Sequence, residues 1–263
     1  MSTGEAQSTP PPARARRRRT SSHRPKKTAM LLAQRLVTEI SDNDLAPGTP
    51  LPSERAMLEE LEVARGSLRE ALRFLEILGV ISIKTGPGGG PVVAERVSHS
   101  LASIIAMYLQ LDGAPFLDVL EARLVLEPAL ARKAAERISD EQIEELHASV
   151  QRMDAGLVDV DIFLGENDVF HGIIAQAAGN HVFALVISSL NWISDGTPLG
   201  VDYPQEVRES VAKEHHRIYK AIAAHDGERA ASAMSVHIGD FAAYLERFYP
   251  ALVDAPLRWD QLD

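Results

Sequence analysis

The chain has no cysteine, which excludes disulfides, thiolate metal sites and cysteine nucleophiles and suits a reducing compartment such as the cytoplasm. It also lacks long hydrophobic runs. The longest mostly apolar stretch, His181 to Ile193, falls well short of the roughly 18 residues that span a bilayer, so no membrane segment is expected. No apolar core follows the basic residues near the start, as a secretory signal would require, and no internal repeat stands out. What remains, 45% hydrophobic and 24% charged residues over 263 positions, is an ordinary globular composition with length enough for two domains.

Charge is unevenly placed. Residues 1–27 hold eight cationic side chains, among them Arg14 and Arg16 to Arg19, against Glu5 alone, a charge of +7. The other residues therefore carry −17 of the chain's net −10. Rich in Pro, Ser and Thr and nearly free of large apolar side chains, this tail cannot bury enough surface to offset the entropy of ordering and is expected to be disordered. It reads equally as a solvated tail or as an arm that neutralises nucleic-acid phosphates.

From Thr28 the apolar residues become periodic. Leu32, Leu36 and Ile40, joined by Ala29, Ala33 and Val37, mark one face of a first helix. "SDNDLAPGTPLP" turns the chain, Ser53 can cap a second helix with Met57, Leu58 and Leu61 inward, and "EVARG" is a turn. A third helix, starting near Ser67 and ending at Gly79, buries Leu68, Ala71, Leu72 and Leu75. "VISIK" and "VVA" then read as two short strands around a glycine-rich tip, "TGPGGGP". If the leucines of the third helix are inside, Arg65, Arg69 and Arg73 face out, with Ser67 beside them. Such guanidiniums can donate two hydrogen bonds to guanine, each good bidentate contact being worth about 1–3 kcal/mol, and the helix N-terminus suits phosphate. Ion pairs within the helix, Arg69 with Glu62 or Arg73 with Glu70 or Glu76, are the plainer reading.

Beyond His99 almost every segment reads as helix: Leu101 to Leu111, Phe116 to Arg137, Asp140 to Asp154, Asp161 to Ala178, His181 to Ile193, Glu206 to Ala224 and Gly227 to Tyr249. The expected fold is mainly α: a small N-terminal helical module with a β-hairpin over residues 28–95, an antiparallel all-helical bundle over 98–250, and a tail at 251–263. Three histidines share stripes with apolar residues in the bundle. His171 lies with Phe163, Asn167 and Ile174, His215 with Val211, Ile218 and Ile222, and His237 with Ala230, Met234 and Phe241. Asn167, four residues before His171, can converge with it on one point, and an imidazole-rich set suits zinc, nickel or a similar divalent ion. Hydrogen-bonded core histidines are the alternative. His216 and His225 fall off these stripes and read as solvated, and Asp168 points about 100° away from Asn167.

The stretch "LAPGTPLPSERAMLEELEVARGSLREALRFLEILGVISIKTGPGGGPVV" resembles the winged helix-turn-helix of the GntR family of bacterial transcription factors. By that resemblance Arg55 is a groove-and-backbone arginine, Arg65 and Arg69 read bases and hold phosphate, Ser67 is a polar recognition position, and Thr85 and Gly86 lie at the wing tip that enters the minor groove. Ala64 and Gly66 depart from the family pattern by removing hydroxyls that would touch phosphate. "FLDVLEARLVLEPALARKAAER", "FHGIIAQAAGN" and "EHHRIYKAIAAHDGERAASAMSVHI" resemble the FCD effector-binding domain of the family's FadR branch. The matching metal positions are Asn167, His171, His215 and His237, where Asn167 replaces an aspartate, so a divalent metal should be held with less charge. Arg123, in "E-x-R", would line the ligand cavity, with an ion pair to Glu127 as its plainer role, and Asn191 and Trp192 could add contacts. The resemblance implies a homodimer on a palindromic double-stranded DNA operator, most simply a repressor released by a small organic acid. A metal-dependent hydrolase using the Asn167 and His set, and an acidic interaction module without DNA affinity, are the alternatives from other classes.

Overall fold

The computed structural model describes residues 23–86, 89–94 and 99–262. The chain divides into two compact units, with the boundary between Glu95 and Arg96. Of the basic tail expected to be disordered at residues 1–27, residues 1–22 lie outside the described residues, and residues 23–27 are instead the start of the first helix.

The first unit is built on three helices. In α1 (His23–Asp42), Ala29, Leu32, Ala33, Leu36 and Ile40 are buried. Val37, expected on that face, is 42% exposed together with Met30 and Leu31, so the stripe is narrower than its hydrophobic residues suggest. Ser53 starts α2 (Glu54–Leu61) by accepting from the Ala56 amide at 3.2 Å, and Glu62, with φ of 50°, ends it. Helix α3 (Arg65–Ile77) opens two residues earlier than its periodicity implies, and sets Leu68, Ala71, Leu72 and Leu75 inside. Gly79, at φ of 67°, then reverses the chain: its own amide bonds to the Glu76 carbonyl, and the Val80 amide to that of Leu75.

Strands β1 (Ile81–Lys84) and β2 (Gly90–Val93) pair antiparallel, Ile81 opposite Val93 and Lys84 opposite Gly90. The turn before α2 does more than reverse the chain. The amides of Gly48 and Leu51 bond to β2 carbonyls, and the Thr49 carbonyl accepts from the Val93 amide, giving the hairpin a third, irregular rung. Thr49 and Pro50 carry no alternating pattern that would mark a strand, which is why this pairing escapes a reading by periodicity.

The second unit is all helix: α4 (His99–Asp112), α5 (Phe116–Arg137), α6 (Asp140–Ala155), α7 (Val160–Ala177), α8 (His181–Ser194), α9 (Gln205–Ala223), α10 (Gly227–Phe248) and the one-turn α11 (Pro250–Val253). Their starts are locally encoded. Ser139 and Gln142 form a capping box, and Asp159, Asn180 and Asp226 each accept first-turn amides. Helix α5 packs against α7, α8, α9 and α10 and forms the axis of the bundle. Residues 251–262, within the C-terminal tail at 251–263, pack against the bundle. Val253, Leu257 and Leu262 are buried in the larger core, and the strap is pinned by Leu257 N–H to the Ala114 carbonyl and by Trp259 N–H to Gln110 Oε1. Three isolated anchors without helical or strand spacing leave no periodic trace. No helix among the described residues is long and apolar enough to cross a membrane.

Candidate DNA-binding surface and candidate metal centre

On α3, burial of the leucine face leaves Arg65, Arg69 and Arg73 exposed. Arg65 and Arg73 have no ion pair among the described residues, while Arg69 Nε meets Glu54 Oε2 of α2 at 3.1 Å rather than any acid of its own helix. Arg55 lies 3.4 Å from Glu59. Both pairs are solvent-exposed, a kind worth under about 1 kcal/mol, so a phosphate or base edge could displace them cheaply. Ala64 is the N-cap of α3 and offers no side-chain hydrogen bond, so the N–H groups of Arg65 and Gly66 have no partner among the described residues and the positive helix end stays open. Ser67 is a correction. It is only 9% exposed because it shares a stripe with Ala71, four residues on, so it belongs to the packed face and not to the arginine face. Thr85 and Gly86 are exposed at the end of β1, and the rest of the glycine tip, residues 87–88, lies outside the described residues.

In the bundle, α7, α9 and α10 bring His171, His215 and His237 together. Each offers a ring nitrogen, and these lie within 4.8 Å of one another, all three residues being buried. His171 Nδ1 is 2.5 Å from Glu127 Oε2 and His237 Nδ1 is 2.8 Å from Glu214 Oε2. Carboxylates on both Nδ1 atoms hold the protons there and turn the Nε2 lone pairs toward each other, 3.2 Å apart. Two nitrogens bound at about 2.0–2.1 Å to a tetrahedral zinc stand about 3.3 Å apart, so this pair already has the bite of a metal site. Both ring nitrogens of His215 are buried without any hydrogen bond. Burial, and then the neighbouring His237 and His171, depress the His215 pKa well below the ordinary 6.5, and burial lowers that of His237 against the pull of Glu214. Three convergent imidazoles, one of them without any hydrogen bond, fit a divalent cation. Asn167 and His237 both line the adjoining cavity. Of the off-stripe histidines, His216 Nε2 meets Asp154 at 2.7 Å and His225 Nδ1 meets the Ala135 carbonyl at 2.8 Å, so neither is simply solvated.

Arg123 both lines a cavity and pairs with Glu127. Its Nε donates to Glu127 Oε1 at 2.6 Å and its Nη1 to Ser194 Oγ at 2.7 Å, while the guanidinium lies 5.8 Å from the centre of the Phe241 ring. Burial would raise the Glu127 carboxyl, but Arg123 and His171 outweigh it and hold its pKa well below the ordinary 4.5. Glu127 thus binds a cation on one oxygen and a candidate metal ligand on the other. Above this network is a cavity of about 340 Å³, at the lower end of the range for small-molecule sites, lined by Arg123, Asn191, Trp192 and His237 among others. Asp168 lines it too, although helical spacing turns it from Asn167; it stays outside the converging ligand group. Sequence reasoning missed the supporting role of Glu127 and overlooked Glu214, whose one signal was its place directly before His215.

The fold is that of a two-unit chain, a winged helix-turn-helix followed by an all-helical bundle. Comparison with known proteins agrees. Residues 29–89 match the family described as bacterial regulatory proteins, gntR family, and residues 118–240 match the FCD domain. The chain is 33% identical over 214 residues to the uncharacterized HTH-type transcriptional regulator YcbG of Bacillus subtilis, covering 81% of this chain and 88% of that protein. It is 29% identical over 227 residues to the HTH-type transcriptional repressor NanR of Enterobacter sp. strain 638, covering 85% of this chain and 87% of that one. The solved structure of Streptococcus agalactiae GntR superposes with a TM-score of 0.61 at 25% identity, covering 82% of this chain and 99% of that chain. The chain belongs to the GntR family, in the branch that carries an FCD domain, and is a DNA-binding transcriptional regulator. Relatives of this kind are regulators and not enzymes, which sets aside the hydrolase reading.

Proposed function

We propose that the protein is a homodimeric repressor, cytoplasmic and bound to a palindromic operator, that a small organic acid releases by entering the cavity beside a divalent metal. The observation that carries the effector half is the convergence, on one cavity, of Arg123, Asn191 and the edge of a three-histidine cluster whose His215 nitrogens have no partner among the described residues. His171, His215 and His237 would hold the ion, zinc or nickel, with Asn167 as a neutral fourth donor. The bound ion would supply positive charge for an incoming carboxylate. Arg123 would clamp the same group through Nη2, which makes no hydrogen bond among the described residues. On DNA, Arg65 and Arg69 would read or clamp the major groove, with Arg55 toward the backbone and Thr85 and Gly86 at the wing. Two-fold symmetry would place two α3 helices in successive major-groove segments. Acid binding would favour a dimer geometry whose helix spacing no longer fits.

Metal analysis by mass spectrometry on protein purified without chelator tests the centre. Near one zinc or nickel per chain, falling sharply in His215→Ala, is expected; content near zero in the wild type contradicts it. Release of the best-binding genomic fragment by organic acids, lost in Arg123→Met, tests the coupling.

A further inference from the structure

The cavity that holds Arg123 is not uniformly cationic, and its unmatched groups describe the ligand more closely than the word acid does. Asn191 is 6% exposed and lines the cavity, yet neither its amide oxygen nor its amide nitrogen has a hydrogen bond. Asp168 lines the cavity from α7 with no hydrogen bond to its carboxylate among the described residues. Asp195, at the end of α8, spends one oxygen on the backbone N–H and hydroxyl of Thr197 and leaves the other unbonded. Donors in the lining without a hydrogen bond among the described residues include Arg123 Nη2, the amides of Asn191 and Asn167, the Trp192 indole N–H and the His99 ring; Tyr203 is not among them, since its hydroxyl already donates to the Asp195 carbonyl. Two of the open acceptors are carboxylates, and neither has an ion pair among the described residues.

A bare carboxylate would satisfy the Arg123 end and bring no cation to Asp168 or Asp195. A hydroxyl would supply a donor but no charge to set against two carboxylates. The rest of the wall is aromatic: Phe163, Phe241 and Trp192, the last tilted at 37° against His99 with ring centroids 5.2 Å apart. Aromatic faces with nearby carboxylates are the surroundings that favour an ammonium group.

Building on the effector reading above, we infer that the ligand is a zwitterion, a small amino acid or aminated acid. Its carboxylate faces Arg123 and the histidine centre, and its ammonium faces Asp168 and Asp195. Asp168 is the specificity determinant. It lies at an exposed position on the cavity wall, outside the core, so the fold tolerates its replacement.

The test is a thermal-shift panel on the full-length protein with its metal. The probes are free L-amino acids, each beside its des-amino and 2-hydroxy counterpart, run on wild type, Asp168→Asn and Arg123→Met. A fitting amino acid at a hundred times its Kd raises Tm by roughly 5–10 °C in wild type. In Asp168→Asn that shift is lost, while the des-amino acid stabilises at least as well as before. Des-amino or hydroxy acids shifting the wild type as much as amino acids overturn the zwitterion assignment and leave the acid effector standing. Equal amino-acid shifts in wild type and Asp168→Asn overturn the role of Asp168. No shift from any acid in wild type overturns the effector reading beneath both.

Discussion

The two units treat charge in opposite ways. The first exposes it: among the described residues, Arg65 and Arg73 of α3 have no ion pair and Arg69 is held only by a solvent-facing contact with Glu54. The second buries it, in a chain that runs from Ser194 through Arg123 and Glu127 to His171, then across His237 to Glu214, with Arg123 and Glu127 both nearly inaccessible. Loose charge can be redirected toward a phosphate at little cost. Buried charge must keep its partners, and so can hold a binding geometry fixed. A reading surface and a sensing core need those two regimes.

Breaking the buried side should cost most. Glu127→Ala leaves Arg123 without its counter-charge and His171 without its orienting acceptor. About 3–5 kcal/mol of stability should be lost, as read by denaturant unfolding of the helical unit; a loss under 1 kcal/mol would mean the network does not hold the core. On the exposed side, Arg69→Ala should leave unfolding nearly unchanged but weaken operator binding by about 1–3 kcal/mol in a gel-shift titration at fixed salt.

Acidity should also separate the two. His215 and His237 have folded-state pKa values below 6.5, so above that pH they are neutral whether folded or not and cost nothing. As pH falls below 6.5 the unfolded chain takes protons that the folded one refuses. The chelated protein should therefore lose up to about 1.4 kcal/mol per proton for each pH unit between 6.5 and 5. Glu127 adds nothing in that window, because its depressed pKa withdraws stability only below its ordinary 4.5. His215→Asn should flatten the decline, and an unaltered slope would assign it elsewhere. The smallest effect belongs to Glu54→Gln, which should change stability by less than about 1 kcal/mol. Measured unfolding that fell by several kcal/mol would show that the α2–α3 contact is no loose surface pair.

The same contrast explains what could be read in advance. Seven helices of the bundle were legible to within about two residues because apolar spacing and caps such as Ser139, Asn180 and Asp226 act locally. The three histidines were visible as inward positions for the same reason. Contacts between distant segments were not: Glu54 with Arg69, Glu214 with His237, the 48–51 rung on β2, and the strap at 251–262 depend on tertiary neighbours that no local pattern records. Ser67 shows the limit within a single helix. Its hydroxyl suggested a groove contact, while its spacing from Ala71 had already placed it inside.

The central claim is that the arginine side of α3 meets nucleobases while its leucine side is buried. Titrating the best genomic fragment at fixed salt with wild type and with Arg65→Ala/Arg69→Ala tests it directly. The account predicts at least a tenfold loss of affinity, about 1.4 kcal/mol or more, with folding intact. Equal affinity of the two proteins for that fragment would contradict it.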